Sequence, residues 1–131
     1  MLVDDSSICN LIMRKVLAQL PFPVDIHDFT DPVVAFTQIE RINPSLIFLD
    51  LNMPELDGWG FLRRMHEAAQ PHRVIVLTSS TSVVDRARCT EFSNILSYQT
   101  KPLTKDAVET LLHTFQTEPA LQARDGRFTL E

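Results

Sequence analysis

The stretch Ser45-Leu46-Ile47-Phe48-Leu49-Asp50 (residues 45–50, SLIFLD) decides the reading of the fold. Leu46 to Leu49 is a short, continuous apolar run, the pattern of a strand covered on both faces of a parallel sheet. Residues 73–78 (RVIVLT) repeat it with Val74 to Leu77, and residues 1–4 (MLVD) read as the end of a third such strand. Residues 24–29 (VDIHDF) are more polar, as suits a sheet edge, and residues 95–100 (ILSYQT) form a weaker fifth strand. Helical spacing fills the gaps between them. In residues 6–20, Ile8, Leu11 and Ile12 recur, followed by Val16 and Leu20. In 32–43, Ala35, Ile39 and Ile42 make one face, with Asp31 and Pro32 as N-cap and first helical residue. In 58–69, Leu62, Met65 and Ala69 are expected to face inward. In 83–92 the stripe is poor: Val83, Ala87 and Cys89 behind a Ser82–Asp85 capping pattern. In 105–116, Val108, Leu111, Leu112 and Phe115 line up behind Thr104 as N-cap, with Leu103 stapled to Val108. The order βαβαβαβαβα predicts an α/β fold: a parallel sheet with helices on both faces and right-handed crossovers.

The bulk properties fit one such domain. The chain has 131 residues, a formal net charge of −5, 44% hydrophobic and 22% charged residues, enough for one core without staples. The acidic balance argues against direct contact with nucleic acid. Cys9 and Cys89 form no CxxC pair and no zinc spacing, and His27, His66, His72 and His113 show no ligand spacing. No window approaches the roughly 18 apolar residues of a membrane span, and no signal peptide is visible. The expected home is cytoplasmic.

Most of the chemistry-bearing residues fall at one kind of place, the C-terminal end of a predicted strand. Asp4 and Asp5 follow the first, Asp50 ends the third, Thr78 ends the fourth and Lys101 follows the fifth. In open α/β sheets the ligand crevice lies outside those ends. If the first and third strands are neighbours, three carboxylates converge, and like charges at close range resist joint ionisation. A hard divalent cation with oxygen ligands removes that repulsion, and Mg²⁺ suits a few carboxylates with room for phosphate oxygens. A carboxylate beside it can attack a phosphoryl donor and form an acyl phosphate. A lysine ammonium and a hydroxyl, as at Lys101 and Thr78, can share the charge of the moving phosphoryl group.

With these residues in place the chain resembles the receiver domain of two-component response regulators, of the single-domain chemotaxis type. The resemblance rests on Asp4-Asp5, on Leu49-Asp50-Leu51-Asn52-Met53-Pro54 with Asp57-Gly58, on Leu77-Thr78-Ser79, on Tyr98 and on Lys101-Pro102. It covers about residues 1–116, read as one receiver domain, with 117–131 as an extension of the last helix and a flexible tail. It implies a flavodoxin-like (βα)5 fold with strand order 2-1-3-4-5. It implies phosphorylation of Asp50 by a histidine kinase or a histidine phosphotransfer protein. Asp5, Asp50 and the backbone carbonyl of Asn52 would bind Mg²⁺ directly, and Asp4 through water. Lys101 would contact a phosphoryl oxygen, Thr78 would swing toward it, and Tyr98 would rotate inward. Lys101-Pro102 would be a cis peptide. Asn52 and Ser80 would tune the lifetime of the phosphorylated state. The altered surface would be the last two helices and the strand between them, offered to a downstream protein target. Unless the chain is a fragment of a longer protein, no effector domain is expected beyond residue 116, and the output is expected to be protein binding, by a monomer or weak homodimer, with neither nucleic acid nor membrane as a direct partner. The chain is not expected to be an enzyme beyond its own phosphotransfer and dephosphorylation.

Two departures bear on geometry. Asn94-Ile95-Leu96-Ser97 replace the glycines usual before the tyrosine, with Asn94 able to supply a left-handed residue. Gly60 stands where an acid is common. Other motifs fail: Pro54 and Glu55 break an EF-hand start at Asp50, and there is no GxxxxGK[ST] or GxGxxG nucleotide cradle. Two rivals remain. An aspartate-nucleophile phosphohydrolase would carry an acid two residues after the nucleophile, where this chain has Asn52. A phosphorylation-independent docking module would lack an acid or the lysine, and this chain keeps them all.

Overall fold

The apolar runs close into strands and the amphipathic segments into helices. The structure, a computed structural model, describes residues 1–79 and 82–116. The elements are β1 (Leu2–Val3), α1 (Ser7–Ala18), β2 (Asp28–Phe29), α2 (Pro32–Ile42), β3 (Leu46–Asp50), α3 (Gly58–Glu67), β4 (Arg73–Thr78), α4 (Val83–Arg88), β5 (Ile95–Thr100) and α5 (Lys105–Gln116), with a 3₁₀ turn at Cys89–Glu91 after α4. All strand pairs are parallel and the order is β2-β1-β3-β4-β5, as the flavodoxin-like expectation required. Ser80 and residues 117–131, the expected tail, lie outside the described residues. No helix among the described residues is long and apolar enough to cross a membrane.

Alternation along the strands builds two cores, one on each side of the sheet. Leu46, Phe48, Ile75 and Leu77 join Met13, Leu17 and Leu20 of the α1 region and Val108, Leu111, Leu112 and Phe115 of α5. Ile47, Leu49, Val74 and Val76 join Ala35, Ile39 and Ile42 of α2 and Phe61, Leu62 and Met65 of α3. Local signals start the helices. Asp31 accepts from the amides of Val33 and Val34 with Pro32 at the first helical position. Asp57 accepts from Gly60 N at 2.8 Å, Ser82 from Asp85 N and Thr104 from Ala107 N. These contacts fill donors that a helix start leaves open.

Several faces differ from the periodicity reading. On α1, Ile8, Leu11 and Ile12 are 68%, 52% and 44% exposed. The inward face is Asn10, Met13 and Leu17. Asn10, 2% exposed, donates from Nδ2 to the carbonyls of Asp4 and Phe29 at 3.1 and 3.2 Å. Its amide ties α1 to the ends of β1 and β2, so a polar residue heads the buried stripe and an apolar count selects the wrong side. Ala69 lies beyond α3, exposed and at φ 53°. On α4, Val83 is 81% exposed and no residue is buried. Of the expected stripe only Cys89, just past the helix, is buried. β2 keeps two of its six expected residues, since Val24 and Ile26 pack against the α1–α5 core outside the ladder. Among the described non-glycine residues positive φ occurs at Asn43, Glu55 and Ala69, not at Asn94, which instead donates from its side chain to His72 O at 3.1 Å.

The corrected face of α1 sets two expected stabilities, read from urea denaturation midpoints. Leu11→Lys should change stability by no more than about 0.5 kcal/mol, as for an exposed site. Leu17→Ala, at a position 2% exposed, should cost about 2–5 kcal/mol. Comparable losses at both positions would contradict this packing.

Candidate functional site

The site forms because neighbouring strands end at the same level. Val3 pairs with Leu49, so the next residues, Asp4 and Asp50, emerge side by side at the C-terminal edge of the sheet. Leu77 pairs with Asp50, which places Thr78 one step further along. Thr78 pairs with Thr100, and Lys101 N then donates to Thr78 O at 2.8 Å, turning the chain over the end of β4. From there the Lys101 side chain reaches back across the sheet edge. Its Nζ lies 2.6 Å from Asp4 Oδ2 and 3.5 Å from Asp50 Oδ1. The Lys101-Pro102 peptide is cis, as expected.

Burial sharpens the electrostatics. Asp4, Asp50 and Thr78 are 6%, 5% and 0% exposed. Burial and, next, the negative charge of Asp4 push the Asp50 carboxyl above the ordinary carboxylate range. Lys101 and the hydrogen bond from Asn52 N, 3.3 Å from Asp50 Oδ1, oppose them without prevailing. Burial pulls the Lys101 ammonium down, but its hydrogen bond to Asp4 and the charges of Asp50 and Asp4 outweigh that and leave it above its usual value. Lys101 is thus held as a cation between two acids. Asp4 is itself fixed by the amide of Ser6, 2.9 Å from Oδ1, and Asp5 beside it is exposed. Carboxylate oxygens of Asp4, Asp5 and Asp50 all lie within 4.8 Å of one another. A set of hard oxygen donors with unrelieved repulsion fits a divalent cation of the Mg²⁺ kind.

The loop after β3 is shaped to leave Asp50 open. A Cβ on Gly58 would stand 2.7 Å from Asp50 O and from Leu51 Cα, so only glycine permits Gly58 N to donate to Leu51 O. Asn52 stays exposed, with Nδ2 3.5 Å from Thr78 Oγ1. The structure therefore brings together Asp4, Asp5, Asp50, Asn52, Thr78 and Lys101. Tyr98 is set apart on β5, opposite Val76, buried at 8% exposure. The Arg86 guanidinium lies over its ring, 5.0 Å from the centre.

Sequence reasoning missed three residues around this site. Cys9 Sγ lies 3.8 Å from Lys101 Nζ, Asn10 braces Asp4, and Arg86 covers Tyr98. Asn10 did leave a signal, a lone amide in register with Met13 and Leu17. Cys9 and Arg86 left none, because only the folded chain brings them to their partners.

The raised pKa of Asp50 has a consequence for the metal-free protein. A carboxyl whose folded pKa exceeds its unfolded value costs stability while ionised, and the cost disappears as pH falls through the folded pKa to the ordinary range. Asp50→Asn should therefore raise the urea midpoint at about pH 7, with an advantage that shrinks on acidification. A variant less stable than wild type at neutral pH would mean that the Lys101 attraction dominates instead.

Comparison with known proteins agrees with this geometry. The profile of the response regulator receiver domain family matches residues 1–113. A protein-glutamate methylesterase/protein-glutamine glutaminase of Cupriavidus pinatubonensis is 29% identical over 124 residues, 95% of this chain and 30% of that protein. The chain thus spans about a third of the length of such relatives or less. A two-component response regulator from Cytophaga hutchinsonii superposes with TM-score 0.82 at 26% identity, covering 89% of this chain and 95% of that one. The response regulator domain of Thermotoga maritima CheB shares the fold, with TM-score 0.72 at 19% identity over 90% of this chain and 96% of that one. A sheet edge bearing paired acids, a hydroxyl and a reaching lysine, on a fold matched along nearly its whole length, places this chain in the response regulator receiver domain family.

Proposed function

We propose that Asp50 is the phosphoacceptor of a signalling switch, charged in a Mg²⁺-dependent transfer from a histidine kinase or a histidine phosphotransfer protein. The observation that carries this is the buried Asp50 carboxylate, with the Lys101 ammonium 3.5 Å away and two further acids beside it. A carboxylate oxygen of Asp50 attacks the phosphorus, the bond from phosphorus to the donor's imidazole nitrogen breaks, and its electron pair returns to the imidazole. The product is an acyl phosphate. Asp5, Asp50 and the carbonyl of Asn52 would hold Mg²⁺, with Asp4 through water, and the ion would supply charge neutralisation to the phosphoryl oxygens. Lys101 adds a second cation at the same oxygens. It leaves its pairing with Asp4 for that purpose, so the contact at 2.6 Å is the resting arrangement of a movable group. Thr78 turns its hydroxyl toward the new phosphoryl group, Tyr98 follows, and the surface of α4, β5 and α5 presents the changed state to a protein target. Asn52 and Ser80, the positions to which the family resemblance gives this role, would set the lifetime of the acyl phosphate. The receiver domain itself is non-enzymatic. Asn52, where a phosphohydrolase of the aspartate type needs an acid, speaks against that rival, and the intact set of acids and lysine against a purely passive docking module.

The exposed face of α1 supports a protein donor. Ile8, Leu11 and Ile12 occupy the first two turns after the acidic pair, and a donor bringing a phosphohistidine to Asp50 covers this rim. Apolar side chains at such a rim gain by being covered.

Intact mass after incubation with acetyl phosphate and Mg²⁺ should show one labile phosphoryl adduct on wild type and none on Asp50→Asn. Lys101→Ala should retain Mg²⁺ binding and lose the response to phosphorylation, and a normal response would remove Lys101 from its role. Ile8→Glu with Leu11→Glu should leave the acetyl phosphate adduct intact and slow transfer from a phosphorylated kinase. Equal loss with both donors would show damage to the site rather than to docking.

A further inference from the structure

Helix α4 is attached to the body in an unusual way. It has six residues, none of them buried, and Val83 and Val84 at its start are 81% and 74% exposed. Among the described residues, two guanidinium contacts help to tie it down. Arg86 lies over the Tyr98 ring at 5.0 Å and Arg88 over the Trp59 ring at 4.4 Å, both within cation–π range. Trp59, on α3, stacks in turn on Phe92 with ring centres 6.1 Å apart. The helix is thus pinned at its C-terminal half to α3 and β5 through the faces of aromatic rings, while its N-terminal half carries no apolar anchor.

We infer that Arg86 is a positioning residue for Tyr98: its guanidinium, carried on α4, holds the ring in its resting place and makes ring movement depend on movement of the helix. The connection to the phosphorylation site is short. Tyr98 pairs with Val76 and Thr100 with Thr78, and α4 begins five residues after Thr78. A displacement of α4 that accompanies phosphorylation is passed by Arg86 to the ring. A helix without buried apolar residues can shift at little cost in hydrophobic contact, so the cation on the ring is a contact that has to be broken or carried along. This coupling rests on the switch reading of Asp50, whereas the contact that holds the ring at rest does not.

Tyr98 is the sole tyrosine and Trp59 the sole tryptophan of the chain, so each ring reports on its own arginine. The test is ¹⁹F NMR of the 131-residue protein labelled with 3-fluorotyrosine, with tetranitromethane nitration of Tyr98 as a measure of access. Wild type, Arg86→Lys, Arg86→Gln and Arg88→Gln are compared at rest and with Mg²⁺ and beryllofluoride. At rest, Arg86→Gln should shift or split the Tyr98 resonance and raise the nitration rate several-fold, Arg86→Lys should restore most of the wild-type behaviour, and Arg88→Gln should change Trp59 fluorescence while leaving the Tyr98 resonance in place. A resting Arg86→Gln resonance and nitration rate equal to wild type would overturn the inference, and failure of lysine to restore them would overturn the role of the charge. With beryllofluoride, a Tyr98 resonance that moves in wild type and responds differently in Arg86→Gln supports the coupling. A wild-type resonance that stays fixed would count against the switch reading and the coupling together, leaving the resting comparison to judge the contact.

Discussion

Asp4 and Asp50 are two buried carboxylates at the ends of adjacent parallel strands, and the rest of the site is arranged around their burial side by side. Register alone brings them together, since Val3 pairs with Leu49. Burial and, next, the negative charge of Asp4 raise the pKa of Asp50. The fold answers with Lys101, which spans the sheet edge to lie between the two acids. A single ammonium cannot neutralise three neighbouring carboxylates. The residual negative charge leaves an edge of oxygen donors that could hold a divalent cation.

Around that charge cluster the supporting contacts serve placement. Asn10 ties α1 to the carbonyls of Asp4 and Phe29, the Ser6 amide orients the Asp4 carboxylate, and Gly58 lets the loop after β3 fold against Asp50 O. These are hydrogen bonds and a close approach rather than hydrophobic burial, so they fix the acids without closing the crevice above them. The opposite holds at α4, which buries no residue and lays two arginines on aromatic rings of the body. The sheet edge is therefore a rigid charge cluster flanked by a lightly attached helix. A local chemical change there can alter a surface without disturbing either core.

Much of this was legible in the chain. The continuous runs at 46–49 and 74–77 stated that the central strands are covered on both faces, because only a parallel sheet between helix layers asks for such runs. The acids and the hydroxyl at strand ends stated where the chemistry lies, because strands of a parallel sheet deliver their C-terminal residues to one edge. Motif order and spacing then singled out Asp50 and Lys101 as members of one site, although 51 positions separate them in the sequence.

The faces of the weaker helices were decided only in the folded molecule. On α1 the apolar letters pointed to Ile8, Leu11 and Ile12, but the buried stripe begins with Asn10, because satisfying two carbonyls at the strand ends outweighs the gain from burying one more aliphatic side chain. On α4 no stripe exists to be read, and Arg86 and Arg88 find their aromatic partners on β5 and α3 only after the sheet has formed. The sequence by itself determined the alternation of strands and helices, the central core strands and the identity of the acidic site, since these depend on periodicity and on residue type at strand ends, while the strand order came from the resemblance of its motifs to the receiver family. Tertiary structure alone decided which polar side chains brace the acids and what covers Tyr98, because those contacts join residues that no local pattern relates.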